Sequence, residues 1–146
     1  MTTISVLSPE QIKKLGGLSP MMVCGTFDGE EMDPQSFTEN KEFVKFLHKT
    51  ISEKGAKLWS LREDARKRLK GYIYIIDLRT PEGVMGNVPI EDIIGSFRVE
   101  DTFLVANSYE RNDLYNLFTK DGLMKLPPEL SDLLVGELKK LISKQQ

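Results

Sequence analysis

The chain has 146 residues, with 20 basic and 22 acidic side chains, a net charge of −2 and 40% hydrophobic residues. That size and balance fit one soluble globular domain whose core needs no metal or disulfide, and they supply no global field favouring nucleic acid or an acidic membrane. No apolar run approaches the ~20 residues that span a bilayer, the opening MTTISVLSPEQIKKLGG lacks the basic start and apolar stretch of a signal peptide, and the single Cys24 has no internal disulfide partner, so a cytoplasmic setting is expected.

Ser8-Pro9 followed by Glu10 and Gln11 predicts a short helix with Ile12 and Leu15 inward and Gly16-Gly17 at its end. Met21 to Phe27 reads as a short strand or ordered loop, and Asp28 to Pro34 as a polar turn. Ser36 and Glu39 have capping-box spacing. Behind them Phe43, Val44, Phe46, Leu47 and Ile51 fall on one helical arc, with Lys41, Lys45, Lys49 and Ser52 opposite. This predicts a helix over 37–54 that ends on Gly55 in a left-handed conformation. Leu58, Leu61, Ala65 and Leu69 predict a second helix over 58–70, with Trp59 at the core edge.

The run GYIYIIDLR, Gly71 to Arg79, reads as a central strand buried on both faces with a charged pair at its exit. Thr80-Pro81-Glu82-Gly83 reads as a turn, and Pro89 to Ile93 as one helical turn before a strand at Gly95. Over Ser96 to Asn107 a hairpin is expected in which Val99 faces Leu104, which gathers the apolar residues on one face. Thr102 argues against a two-residue type I′ turn, because a β-branched residue resists positive φ, so a four-residue loop is expected. Tyr115 to Phe118 suggests another strand, and Lys120-Asp121-Gly122 a turn. Pro127-Pro128 opens a final helix with Leu130, Leu133, Leu134, Leu138, Leu141 and Ile142 inward, and Gly136 is expected at a close helix contact. Short loops between strands favour an antiparallel meander. The fold class is therefore α+β: a sheet of about four strands from residue 72 onward, packed with N-terminal helices and a C-terminal helix, in one domain over 1–146.

Chemical signatures are sparse. The chain contains no GxGxxG, Walker loop, GxSxG, HExxH or CxxC. Glu82 to Asn87, EGVMGN, opens no helix and is no phosphate cradle. His48, the only histidine, reads as a boundary residue, and Cys24 as a small buried hydrophobe. Asp28, Glu30, Glu31 and Asp33 miss the calcium-loop spacing and read as a solvated acidic loop. No catalytic residue, metal or cofactor is assigned.

Asp77 and Arg79 share one side of their strand and suit either a structural ion pair or a ligand contact. Tyr109 and Arg111 share a side in a segment rich in hydrogen-bonding groups. A candidate ligand site therefore comprises Asp77, Arg79, Arg98, Tyr109 and Arg111, with the guanidiniums gripping an anion. The leading expectation is a small non-catalytic binding or protein-interaction protein, its partner another protein or a second copy of itself. Alternatives are a small anionic ligand, bound or turned over near Asp77, Arg79, Tyr109 and Arg111, and, disfavoured, nucleic acid on the basic segment Lys54 to Lys70.

Overall fold

In the computed structural model, residues 2–5, 7–17, 19–29, 33–80 and 88–145 are described. The fold is α+β, with four α-helices and antiparallel sheets among the described residues. Close contacts gather the chain into two compact units, residues 1–47 with 132–146, and residues 48–131.

The first unit holds a sheet that the sequence reading had only in part. β1 (Thr2–Ser5), β2 (Val23–Phe27) and β3 (Phe37–Glu39) pair antiparallel in that order. β1 and β3 are too short for periodicity to announce them. Helix α1 (Pro9–Lys14) starts as expected, on a capping box in which Ser8 and Gln11 exchange side-chain-to-backbone bonds. Buried Leu7, Met22 and Leu138 form a core against which Ile12, Leu15, Met21, Phe46 and Val135 pack.

Helix α2 spans Lys41–Lys54, shorter than the expected 37–54. Ser36 and Glu39 do not cap it: Ser36 ends a 3₁₀ turn, Glu39 lies in β3, and Asn40 Oδ1 accepts from Glu42 N at 3.2 Å instead. Its apolar arc is as read, with Phe43, Leu47 and Ile51 fully buried and Lys41, Lys45, Lys49 and Ser52 exposed. Gly55 does not take the left-handed conformation; it opens a 3₁₀ turn, Gly55–Lys57. Its reason is space, since a Cβ there would lie 3.0 Å from Ile51 and 3.2 Å from Phe97.

In the second unit, α3 (Trp59–Arg66) is also shorter than expected, and Leu69 and Trp59 are both 68% exposed rather than core-facing. The main sheet contains β4 (Lys70–Ile76), β5 (Ile93–Glu100), β6 (Phe103–Leu104) and β7 (Glu110–Arg111). β5 is the central strand, pairing with β4, β6 and β7, and β4 lies at the edge. The expectation that the GYIYIIDLR strand is central and buried on both faces is therefore corrected. Ile73 and Ile75 are buried, but Tyr72 and Tyr74 are 48% and 55% exposed. The run is an alternating strand in which tyrosine, apolar in its ring and polar at its tip, takes the wet positions. Ile73 packs with Ala65 and Val99, joined by Leu61 and Leu104.

The hairpin register holds, Val99 opposite Leu104 and Glu100 opposite Phe103. Its loop does not: Asp101 and Thr102 alone make the turn, at φ 50° and 69°. Thr102 thus occupies a conformation that a β-branched residue strongly disfavours. The expected strand at 115–118 is instead a small hairpin of β8 (Phe118–Thr119) and β9 (Gly122–Leu123), with Gly122 at φ 108° serving the turn as read. Helix α4 (Pro128–Gln145) begins at the prolines, and Leu130, Leu134 and Leu138 are buried along it. Gly136 lies beside open space rather than at a helix contact. The side chain of Ile142, the turn beyond Thr80, and EGVMGN lie outside the described residues.

Candidate functional site

All five candidate residues belong to the second unit, where they take three different roles. Asp77 and Arg79 follow β4 and have side chains almost wholly removed from water. They approach to 3.7 Å, but the main partner of Arg79 is Asp92, whose Oδ1 accepts from Nε at 2.7 Å. The rest of the guanidinium donates to backbone carbonyls: Nη1 to Gly122 at 3.3 Å, and Nη2 to Glu91 at 3.0 Å and Asn116 at 2.5 Å. Four of its five N–H groups are thereby committed. Its face lies 5.6 Å from the centroid of the Tyr115 ring.

The carboxylates are equally occupied. Asp77 accepts from Arg79 N at 2.9 Å, from Tyr115 Oη at 2.7 Å and from Lys125 N at 3.0 Å. Burial, then the adjacent Asp77, pushes the Tyr115 phenol well up, so it stays protonated and donates. The second oxygen of Asp92 takes the Thr80 hydroxyl. Backbone bonds close the cluster: Asp77 N donates to Asp92 O at 2.8 Å and Leu78 N to Lys125 O at 2.9 Å. Among the described residues no buried polar side-chain atom lacks a partner. The cluster ties the exit of β4 to the segments 90–92 and 116–125. It is a satisfied internal lock, with little left to offer a ligand.

Tyr109 turns inward. Its hydroxyl shares a 2.8 Å hydrogen bond with His48 Nδ1, and its ring lies 5.2 Å from Phe97 and covers Gly95. A Cβ at Gly95 would overlap that ring. Burial first, then the Arg111 charge, lowers the His48 pKa from 6.5 to about 4, so the imidazole is neutral at pH 7. Burial raises the Tyr109 pKa while Arg111 opposes the shift. A neutral histidine bonded to a protonated tyrosine fills this packed niche, and His48, 7% exposed, is buried rather than at the boundary expected of it.

Arg98 and Arg111 remain at the surface, each beside a carboxylate, Glu100 and Asp113 respectively, at 3.1 Å. Of the five candidates only Arg111 lines a cleft of about 220 Å³, together with Tyr74, Ile90, Ile93, Ser96 and Asn112. A second cleft of about 190 Å³ lies between Arg62 and Arg66 of α3 and the hairpin residues Thr102, Phe103 and Leu104. Asp77 and Arg79 line neither.

Sequence reasoning missed Asp92, Thr80 and Tyr115 as partners of the charged pair. One signal was present: Asp92 stands between Ile90 and Ile93-Ile94, and an acid in so apolar a setting needs a buried cation or donors. Cys24 is fully buried and outside any disulfide, in line with the structural reading. Asp33 caps Gln35 N at 3.0 Å, while Glu30 and Glu31 lie outside the described residues. Among the described residues no three His, Cys, Asp or Glu side chains gather as a metal would need, and no helix is long and apolar enough to cross a membrane.

No known protein-family model matches this chain, and neither does any curated protein or solved structure.

Proposed function

We propose that this chain is a small cytoplasmic, non-catalytic interaction protein that meets a protein partner along the edge and outer face of β4. The observation that carries this reading is a contrast between β4 and the residues at its exit. The buried exit commits Asp77 and Arg79 to internal partners, while the strand itself leaves Tyr72 and Tyr74 half in water.

The edge supports the reading further. Val105 N donates to Arg98 O at 2.9 Å and Arg98 N to Ser108 Oγ at 2.7 Å, so the Arg98 backbone faces away from β4. Alternation then turns Phe97 and Val99 toward β4, where they oppose Ile73 and Gly71. The backbone groups of Tyr72 and Tyr74 therefore point to the free side, which pairs with no strand among the described residues. A free edge carrying exposed aromatics is suited to adding an extended strand from another chain. The lone buried thiol of Cys24 supports a reducing compartment.

Two measurements test this. Light scattering across a wide concentration range reads self-association. Selection of random peptides on the immobilised full chain reads hetero-association, with Y72S/Y74S as counter-target. Self-association or peptide binding that Y72S/Y74S abolishes is expected; a strict monomer that enriches no such peptide rejects the reading.

A second reading rests on the 220 Å³ cleft, where Arg111, Ser96 and Asn112 stand beside Tyr74 and Ile90 and suit a small amphipathic anion. Such a ligand at a hundred times its Kd would stabilise the fold by about 2.7 kcal/mol. A thermal-shift panel of anionic metabolites with no response removes it.

A further inference from the structure

We propose that the face of α3 bearing Trp59, Arg62 and Arg66, together with the hairpin tip at Phe103, binds an acidic, apolar-anchored segment of a partner protein. This site is separate from the β4 edge and does not depend on it.

Four observations converge on this surface. Helical spacing sets Trp59, Arg62 and Arg66 within one 60°-wide arc, roughly, at about 100° per residue, and Trp59 is mostly exposed. Arg62 and Arg66 form one wall of the 190 Å³ cleft, and Phe103, which is 73% exposed, stands with Thr102 on the other. The tip itself is strained, since Thr102 sits at φ 69° where glycine is the ordinary choice. Strain kept at an exposed tip beside a cleft is characteristic of segments that present a side chain to a ligand. Exposed phenylalanine and arginine lining one cleft, with an exposed tryptophan on the same helical arc as the arginines, is the composition of an interface rather than of an ordinary wet surface.

Charge names the partner. Residues 54–70 hold seven basic and two acidic side chains, while the other 129 residues hold 13 basic and 20 acidic ones. Glu63 meets Arg66 at 3.0 Å, but Arg62, Lys67, Arg68 and Lys70 have no carboxylate partner among the described residues. The hairpin tip carries the acids Glu100 and Asp101, so a short acidic segment is held on the α3 side of the cleft by Arg62 and Arg66. A nucleic acid extends past it into the negative remainder of the surface, which favours the peptide over the polyanion. In the bound state the guanidiniums take the carboxylates and the cleft beside Phe103 takes an apolar side chain.

The test uses fluorescence anisotropy on the full chain with three labelled probes: the acidic peptide (Glu-Leu-Asp-Phe)₃, its basic counterpart (Lys-Leu-Arg-Phe)₃ and an oligothymidylate of comparable length. Expected is binding of the acidic peptide that weakens as salt rises and is about tenfold weaker in R62E/R66E and in F103S. All three substituted side chains are exposed, and circular-dichroism melts check that the variants stay folded. Equal binding by the wild type and both variants overturns the proposal, as does no binding of the acidic peptide or tighter binding of the oligothymidylate. Because Y72S/Y74S leaves this surface untouched, loss of acidic-peptide binding in that variant instead moves the contact to the β4 edge and also overturns the proposal.

Discussion

Replacing Arg79 with methionine removes the only cation that meets the buried carboxylates of Asp77 and Asp92 among the described residues, and leaves both charges with hydrogen-bond donors but no counter-charge. Methionine keeps much of the side-chain volume, so the cost is electrostatic rather than a cavity. Breaking a buried ion pair by deleting one partner costs about 3–5 kcal/mol. Losing a fork that also satisfies the carbonyls of Glu91, Asn116 and Gly122 puts the expectation at the upper end. Urea unfolding at pH 7 followed by circular dichroism is the assay, and the midpoint should fall with the slope unchanged. The melting temperature should drop by roughly 10–15 °C for a chain of this size. Arg79→Lys keeps the charge but not the planar fork, so it should recover only part of the loss. A stability within about 1 kcal/mol of wild type in R79M, above all with loss of stabilisation by a small anion, would refute the lock and return Arg79 to a ligand-binding role.

Three other perturbations address neighbouring features. Because His48 is held neutral with its pKa lowered from 6.5 to about 4, the native state binds fewer protons than the unfolded chain in that interval. Stability is thus full above about pH 6.5 and falls as pH drops toward 4, by about 2 kcal/mol once partial solvent access is discounted; in H48Q that share of the pH slope should vanish, and an identical slope would contradict it. Gly95→Ala drives a methyl into the Tyr109 ring and should cost about 1–3 kcal/mol in denaturant melts, whereas a neutral result would show that the ring yields freely. Thr102→Gly relieves the tip and should raise stability by about 0.5–1 kcal/mol, with the hairpin register unchanged by NMR.

Much of this fold is legible because burial leaves a period in the sequence. The α2 arc from Phe43 to Ile51 and the Val99–Leu104 register are both patterns of that kind. The β4 strand was misread because Tyr72 and Tyr74 count as apolar although their hydroxyls reach water, which hid an ordinary alternation inside a continuous run. The Thr102 turn was misread because local propensity disfavours it; the pairing of Val99 with Leu104, and packing of β6 against α3, override that preference. The site was legible as residue types but not as contacts. Asp77 and Arg79 stand out by alternation as residues on one side of a strand, suited to each other or to a ligand, yet Asp92 and Tyr115 reach them across 13 and 38 residues of chain, a separation that no spacing rule spans.

The complete burial of Cys24 turns the only sulfur nucleophile in the chain into a built-in clock for local opening of the first unit. A thiol shut away from solvent reacts with an alkylating reagent only while its surroundings part, so the labelling rate measures the free energy of that excursion. No label or substitution need be introduced for it. Run beside the global unfolding curve, it would tell whether the β2 region breathes on its own or only when the whole chain comes apart.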